Sequence, residues 1–236
     1  MDGQRLDGGR QTADLVRVGD TIRRPRNRNS EFVRAVLRHL EAAGFPGAPR
    51  VLGVDEAGRE VLSFIEGDVH VAAPGASEPR LSDAHIESAA ALIRRFHDAT
   101  AGTELAGAEE VVCHGDLGPH NTVFLGSEAV GLIDWDDDVA PGRRLVDLGH
   151  AVWCFVDVGE DGGPVADQGR RIRLMCDAYG WDDPGAVIDE IAALLQRARD
   201  RHANAGRLRA AAIFEELMRW MAGHSEALRT ASGGRS

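Results

Sequence analysis

No stretch of this chain is apolar for the roughly 20 residues that a membrane-spanning helix requires, and its opening residues, MDGQRLDGGRQTAD, lack the apolar core of a secretory signal. Basic charge is in deficit too: 27 Lys and Arg against 38 Asp and Glu give a formal net charge of -11. Nonspecific nucleic-acid binding needs a surplus of phosphate-neutralising cations, so the balance argues against that class. Cysteine is sparse and odd in number. Cys113, Cys154 and Cys176 lie far apart, which speaks against a disulfide framework and for a reduced, cytoplasmic protein. Low-complexity segments are missing as well. What is present is a hydrophobic fraction of 43% spread over 236 residues, enough for one large domain or two small ones.

The first third reads as a small strand-rich unit. Ala13 to Val18 is compatible with a strand, Gly19-Asp20 with a turn, and Thr21 to Arg24 with the returning strand that Pro25 stops. Ser30 is placed to cap a helix in which Phe32, Val33, Val36, Leu37 and Leu40 keep helical spacing up to Gly44. Strands are expected at Arg50–Val54 and Glu60–Ile65, around the turn Asp55-Glu56-Ala57-Gly58. Gly67 and the loop ending at Pro79 mark a boundary, and the chain beyond is mainly helical. Ser82 precedes a segment with Ile86, Ala89, Ile93 and Phe96 on one face, and further helices are expected over 168–179, 184–203 and 207–228. Asp183 before Pro184 is a cap followed by a first-turn proline. The last residues, TASGGRS, read as a disordered tail.

The chemistry concentrates in VVCHGDLGPHNTVFLGSEAVGLIDWDDD, residues 111–138. Asp116 and Asn121 sit in a Gly/Pro loop, and Asp134 ends the apolar run Val130-Gly131-Leu132-Ile133. Phosphoryl transfer from ATP needs one carboxylate to orient or accept the proton of the attacking hydroxyl, and hard oxygen ligands to hold Mg²⁺ on the phosphates. This segment supplies one such base and two such ligands. The bland readings are an Asp that caps its own turn and, for Asp136, Asp137 and Asp138, a solvated acidic run. Cys113, His114 and His120 do not make a zinc site, because adjacent Cys and His do not suit tetrahedral ligation and no second cysteine pair is near.

With H-G-D-x-x-x-x-N followed by a strand ending I-D-x-x, the chain resembles the aminoglycoside phosphotransferase family, the antibiotic-kinase and choline-kinase branch of the protein-kinase-like fold. The resemblance implies an α+β, bilobal fold: a small strand-rich, ATP-binding N-lobe over 1–66 and a larger, mainly helical catalytic and acceptor-binding C-lobe over 67–236. It implies that Asp116 is the catalytic base, that His114 braces its loop, and that Asn121 and Asp134 hold Mg²⁺, with Asp136 a further candidate on the metal. Asp147, in LVDLGHA, would accept backbone N–H groups or His114, a structural role. Upstream, LDGGRQTADLVRVGDTIRRP resembles a shortened glycine-rich hairpin and third strand. Gly8 and Gly9 would then cover the phosphates, and Arg23 would take the place of the ATP-binding cation. In VLSFIEGD the Ser63 carbonyl and the Ile65 N–H would meet the adenine edge. The helix acid that normally pairs with the strand cation has an ambiguous counterpart: Glu31 is the only acid early in that helix, and the position that aligns best holds Arg34.

Two function classes are compatible with these residues. One is an ATP- and Mg²⁺-dependent kinase of a small molecule, with an aminoglycoside, another cationic antibiotic such as a basic peptide, or a cell metabolite (choline-like, amino-alcohol or sugar) as acceptor. The other is a nucleotide-binding pseudokinase serving as an interaction module, against which the joint presence of Asp116, Asn121 and Asp134 argues. Neither nucleic acid nor membrane is an expected partner. A cationic acceptor is expected from the acid excess and from Asp136, Asp137, Asp138, Asp157, Glu160 and Asp161, which come after the catalytic loop.

Overall fold

Strand alternation in the N-terminal third builds an antiparallel sheet, and the computed structural model, which describes residues 4–5, 15–70 and 81–233, gives its strands as β1 (Gln4–Arg5), β2 (Val16–Val18), β3 (Thr21–Arg24), β4 (Val51–Val54) and β5 (Glu60–Ser63), in the order β1-β2-β3-β5-β4. The register sets Thr21 opposite Ser63, Ile22 opposite Leu62, Arg23 opposite Val61 and Arg24 opposite Glu60. Side chains alternate between faces along a strand, so Arg24 and Glu60 share one face while Arg23 takes the other. Helix α1 (Ser30–Ala42) buries Val33, Val36, Leu37 and Leu40, the stripe its spacing announces. Ser30 is the first helical residue and not the cap. The cap position is Asn29, and the Ser30 hydroxyl accepts the Asn27 N–H at 2.9 Å, closing the turn ahead of the helix.

The chain falls into two compact units. The strand-rich unit takes residues 1–80, 95–115 and 119–142; the helical unit takes 81–94, 116–118 and 143–236. Helix α2 (Asp83–Thr100) therefore contributes to both. The reason lies in the short strands that come after this helix. Strands β6 (Val111–Cys113) and β9 (Ala140–Gly142) pair with each other, and β7 (Thr122–Leu125) pairs with β8 (Glu128–Leu132). The β7–β8 hairpin is tied to the segment after β5: Asp68 and Phe124 exchange backbone hydrogen bonds of 2.9 and 2.8 Å, and Ile65 packs on Gly131 so closely that a Cβ there would lie 2.8 Å from it.

In the helical unit, α3 (Arg144–Val156), α4 (Val165–Tyr179), α5 (Pro184–Asn204) and α6 (Leu208–Ala231) pack through apolar faces that include Leu148, Val152, Ile172, Met175, Val187, Ile191, Leu195 and Leu228. The Asp183 carboxylate caps α5 by accepting the Ala186 N–H at 3.1 Å, as the Asp-Pro pair indicates. Small residues set the crossing of α4 and α6: a Cβ on Gly169 would collide with Ala231. Of the TASGGRS tail, residues 234–236 lie outside the described residues. Helix α6 runs through Ala231, and buried Ser232 donates its N–H to Leu228 at 2.9 Å. No helix among the described residues is long and apolar enough to cross a membrane.

Candidate active site

The hairpin register decides where the proposed metal ligands stand. Thr122 pairs with Leu132, and one step beyond it the Asn121 carbonyl accepts the Ile133 N–H at 2.9 Å. Asn121 and Asp134 therefore emerge at the same end of one hairpin. Asn121 is buried and closes a 3-10 turn (Pro119–Asn121) made by the Gly-Pro loop. Asp134 has φ +62°, a left-handed conformation that a residue other than glycine adopts at a cost of about 1 kcal/mol or more. Such strain persists only where neighbours impose it. Here the His114 ring nitrogen Nε2 bonds the Ile133 carbonyl at 3.0 Å, the Trp135 indole N–H donates to the Leu132 carbonyl at 2.7 Å, and the His114 and Trp135 rings meet edge-on at 4.8 Å. His114 thus braces the strand that ends in Asp134.

The turn after Asp134 is held from α1. The Asn29 side-chain amide donates to the carbonyls of Asp136 and Val139, both at 2.9 Å, and Arg28 pairs with Asp137 at 3.3 Å. The Asp136 carboxylate accepts the Asp138 N–H at 3.1 Å, stabilising its own turn. Gly115 in His-Gly-Asp has φ +84°, and a Cβ there would lie 2.5 Å from the Asp138 carbonyl, so the motif needs glycine on two counts.

On the sheet, the two arginines of TIRR part company. Arg23 donates to the Thr21 hydroxyl at 2.8 Å and lies 3.9 Å from the Asp55 carboxylate. Arg24 is buried, donates to the Glu60 carboxylate at 3.0 Å and also to the Trp135 carbonyl, the residue after Asp134. Glu60 is wholly buried, and its second oxygen faces Arg34 of α1 at 3.7 Å. The helix position where the resemblance expects an acid holds Arg34, and the carboxylate beside Arg24 is that of Glu60 on the neighbouring strand. The chain contains no lysine, so its permanently charged side-chain cations are all arginines. Ser63 ends β5 and Ile65 comes two residues on, while the intervening Phe64 N–H donates to the Asp20 carbonyl at 2.9 Å. Gly8 and Gly9 lie outside the described residues.

In the helical unit, the Asp116 carboxylate is 42% exposed and stands 3.7 Å from His150 Nε2. His150 comes from α3, and its Nδ1 bonds the Leu117 carbonyl at 2.9 Å. Burial pushes the His150 pKa down, but Cys154, Asp116 and the Leu117 carbonyl outweigh it and raise the imidazole to about 9. Asp147 is buried in the first turn of α3, where a carboxylate is favoured by the helix N-terminus. Asp157, Glu160 and Asp161 are exposed beyond the end of α3.

A sequence profile described as the phosphotransferase enzyme family matches residues 104–187, the span holding both halves of the motif. The trifolitoxin immunity protein of Rhizobium leguminosarum bv. trifolii is 34% identical over 211 residues, covering 79% of this chain and 78% of that protein. The chain belongs to the phosphotransferase enzyme family. That family is one of phosphotransferases, and the chain has the protein-kinase-like fold. Aminoglycoside phosphotransferase APH(2'')-Ib, solved with ADP bound, superposes with a TM-score of 0.61 at 14% identity, over 94% of each chain. Macrolide 2'-phosphotransferase MphH from Brachybacterium faecium gives 0.57 at 15% identity, over 84% of this chain and 86% of that one. At such identities these two speak for the fold.

Sequence reading did not single out Glu60, Asn29 or His150. A faint signal existed for Glu60: it opens the otherwise apolar strand Glu60-Val61-Leu62-Ser63, and a charge leading a buried strand needs a partner. His150 and Asn29 gave no such signal, because their contacts join residues far apart in sequence.

Proposed function

We propose that this phosphotransferase moves the terminal phosphoryl group of ATP, with Mg²⁺, onto a hydroxyl of a cationic small-molecule toxin or antibiotic. The observation that carries the reading is the placing of Asn121 and Asp134 at one end of the β7–β8 hairpin, with Asp134 in a strained conformation imposed by His114 and Trp135. An amide oxygen and a carboxylate are hard donors, which fits Mg²⁺, an ion that takes one or two protein ligands and completes its shell with phosphate oxygens and water. When bound, that ion supplies charge neutralisation to the phosphates. Asn121 and Asp134 would hold it; Asp136, whose carboxylate serves its own turn, is the lesser candidate. Asp116 would orient the acceptor hydroxyl and take its proton as the new O–P bond forms and the bond to the departing ADP breaks. Arg24, held by Glu60 on the sheet face that reaches Trp135, is the better-placed cation for the nontransferred phosphates, ahead of Arg23.

The acceptor reading rests on the name of the relative, an immunity protein against a toxin, and on the chain's acidity. It favours a protective kinase over a metabolic one. Purified protein offered ATP and Mg²⁺ with a panel of aminoglycosides, basic peptide antibiotics, choline and neutral sugars, scored by ADP release and the acceptor's mass gain, tests it. Phosphorylation of a neutral sugar alone would refute the cationic toxin, and no transfer to any hydroxyl with intact nucleotide binding would favour the pseudokinase.

A further inference from the structure

Within the helical unit, the proposed base has an unusual neighbour. His150 sits on the inward side of α3 with a side chain only 16% exposed, and its two ring nitrogens have different tasks: Nδ1 is 2.9 Å from the Leu117 carbonyl, and Nε2 is 3.7 Å from Asp116 Oδ1. The Trp153 ring meets the imidazole edge-on at 5.9 Å, and Cys154 Sγ lies 4.0 Å from Nδ1. The ring is thus fixed by a backbone carbonyl from the very loop it serves and by an aromatic from its own helix. We infer that His150 is a positioning residue for phosphoryl transfer, anchored on the Leu117 carbonyl so that its Nε2 edge holds the Asp116 carboxylate in its working orientation.

This inference rests on Asp116 being the base, and it adds a charge to that base's surroundings. A carbonyl accepts, so Nδ1 carries a proton. A lone pair on Nε2 would repel the carboxylate, so the contact with Asp116 also favours a proton there. The groups facing the ring are Asp116 and Leu117 from the loop and Trp153 and Cys154 from α3. The resulting imidazolium attracts the Asp116 carboxylate through Oδ1 and favours its ionised form. Asp116 is 42% exposed, so water weakens this effect without abolishing it. The imidazole pKa of about 9 places the loss of the cation in the mildly alkaline range.

Two variants separate the roles. His150→Asn keeps a donor near the Leu117 carbonyl but offers nothing to Asp116; His150→Gln reaches further and offers Asp116 an uncharged donor. With ATP and the acceptor found by ADP release, His150→Asn should lower kcat about tenfold with the KM for ATP unchanged, and move the acid limb of the kcat profile up by about half to one pH unit. His150→Gln should recover part of kcat but not the acid limb, and the alkaline fall near pH 9 in the parent should be missing from both. Independently of turnover, the imidazole carbon resonance of His150, assigned by its loss in His150→Asn, should titrate near pH 9 in the parent and at lower pH in Asp116→Asn. A kcat profile for His150→Asn that superposes on the parent's, or a His150 titration unmoved by Asp116→Asn, overturns the inference. If the parent transfers no phosphate while the titration shifts as expected, the contact stands and the kinase reading falls.

Discussion

Replacing Glu60 by Gln keeps the shape of the side chain and removes its charge from a place where two arginines depend on it. The Glu60 side chain is 1% exposed, that of Arg24 9% and that of Arg34 21%. Breaking a buried ion pair by neutralising one partner costs about 3–5 kcal/mol, since the remaining charge is left desolvated. Arg34 is exposed enough to turn toward water, so the lower end applies, about 3 kcal/mol. In a chain of this size each kcal/mol moves the melting temperature by about 2–4 °C, so Glu60→Gln should melt about 6–12 °C below the parent. The double change Arg24→Met with Glu60→Met should regain most of that loss, because a well-packed apolar pair is close to neutral against an ion pair. It should not regain use of ATP if Arg24 meets the phosphates. Thermal melts by circular dichroism beside KM for ATP decide the matter. A Glu60→Gln variant melting within about 2 °C of the parent would show that the pair carries no such weight.

Asp116→Asn should cut kcat by about a hundredfold or more, the usual loss with a general base, while ATP binding measured by calorimetry stays as in the parent. Asp134→Ala should abolish the gain in ATP affinity that Mg²⁺ confers on the parent, checked by titrations with and without the metal. Arg24→Ala should raise the KM for ATP several-fold more than Arg23→Ala does; the reverse ranking would return the phosphate contact to the other sheet face. His150 has a folded pKa raised from 6.5 to about 9. Its contribution to stability is complete below about pH 6.5 and is lost as pH rises through 9, by no more than about 1.4 kcal/mol per pH unit. Urea denaturation from pH 6 to 10 should show that decline in the parent and not in His150→Asn.

How much was legible in the sequence differs from one residue to the next, for physical reasons. Helix α1 was readable because its four buried apolar positions come from period alone. The pairing of Thr21–Arg24 was readable from the Gly-Asp turn, and membership of the phosphotransferase family from one motif in one loop. The loop motif was compact because its chemistry is local: His-Gly-Asp folds back on the turn after Asp134 through a glycine with φ +84°. The face of the sheet on which each arginine lies was not readable. Alternation says that Arg23 and Arg24 oppose each other, but it does not say which faces α1. That is fixed by the cross-strand register Arg24↔Glu60 and by Arg34 arriving from the helix, neither of which has a local sequence signal.

Under the role proposed for Arg24, the absent helix acid, which in the sequence alone looks like a defect in the nucleotide site, is a displaced charge. What a strand cation near phosphates needs is a buried carboxylate that fixes its direction, and the element that supplies it is immaterial to the electrostatics. Glu60, directly opposite Arg24 in the sheet, gives a shorter and stiffer connection than a helix side chain, because both backbones are already tied by the ladder. Arg34 then balances the second oxygen of Glu60 from α1, so the helix stays coupled to the cation, but with its charge reversed. The arrangement also has a consequence for movement. A helix acid lets the strand cation be released when the helix swings away, whereas a strand acid holds Arg24 wherever α1 goes. Arg34→Ala should therefore leave the KM for ATP within about twofold of the parent, while Glu60→Gln raises it several-fold. Equal losses in the two variants would mean that α1, and not the sheet, sets the direction of Arg24.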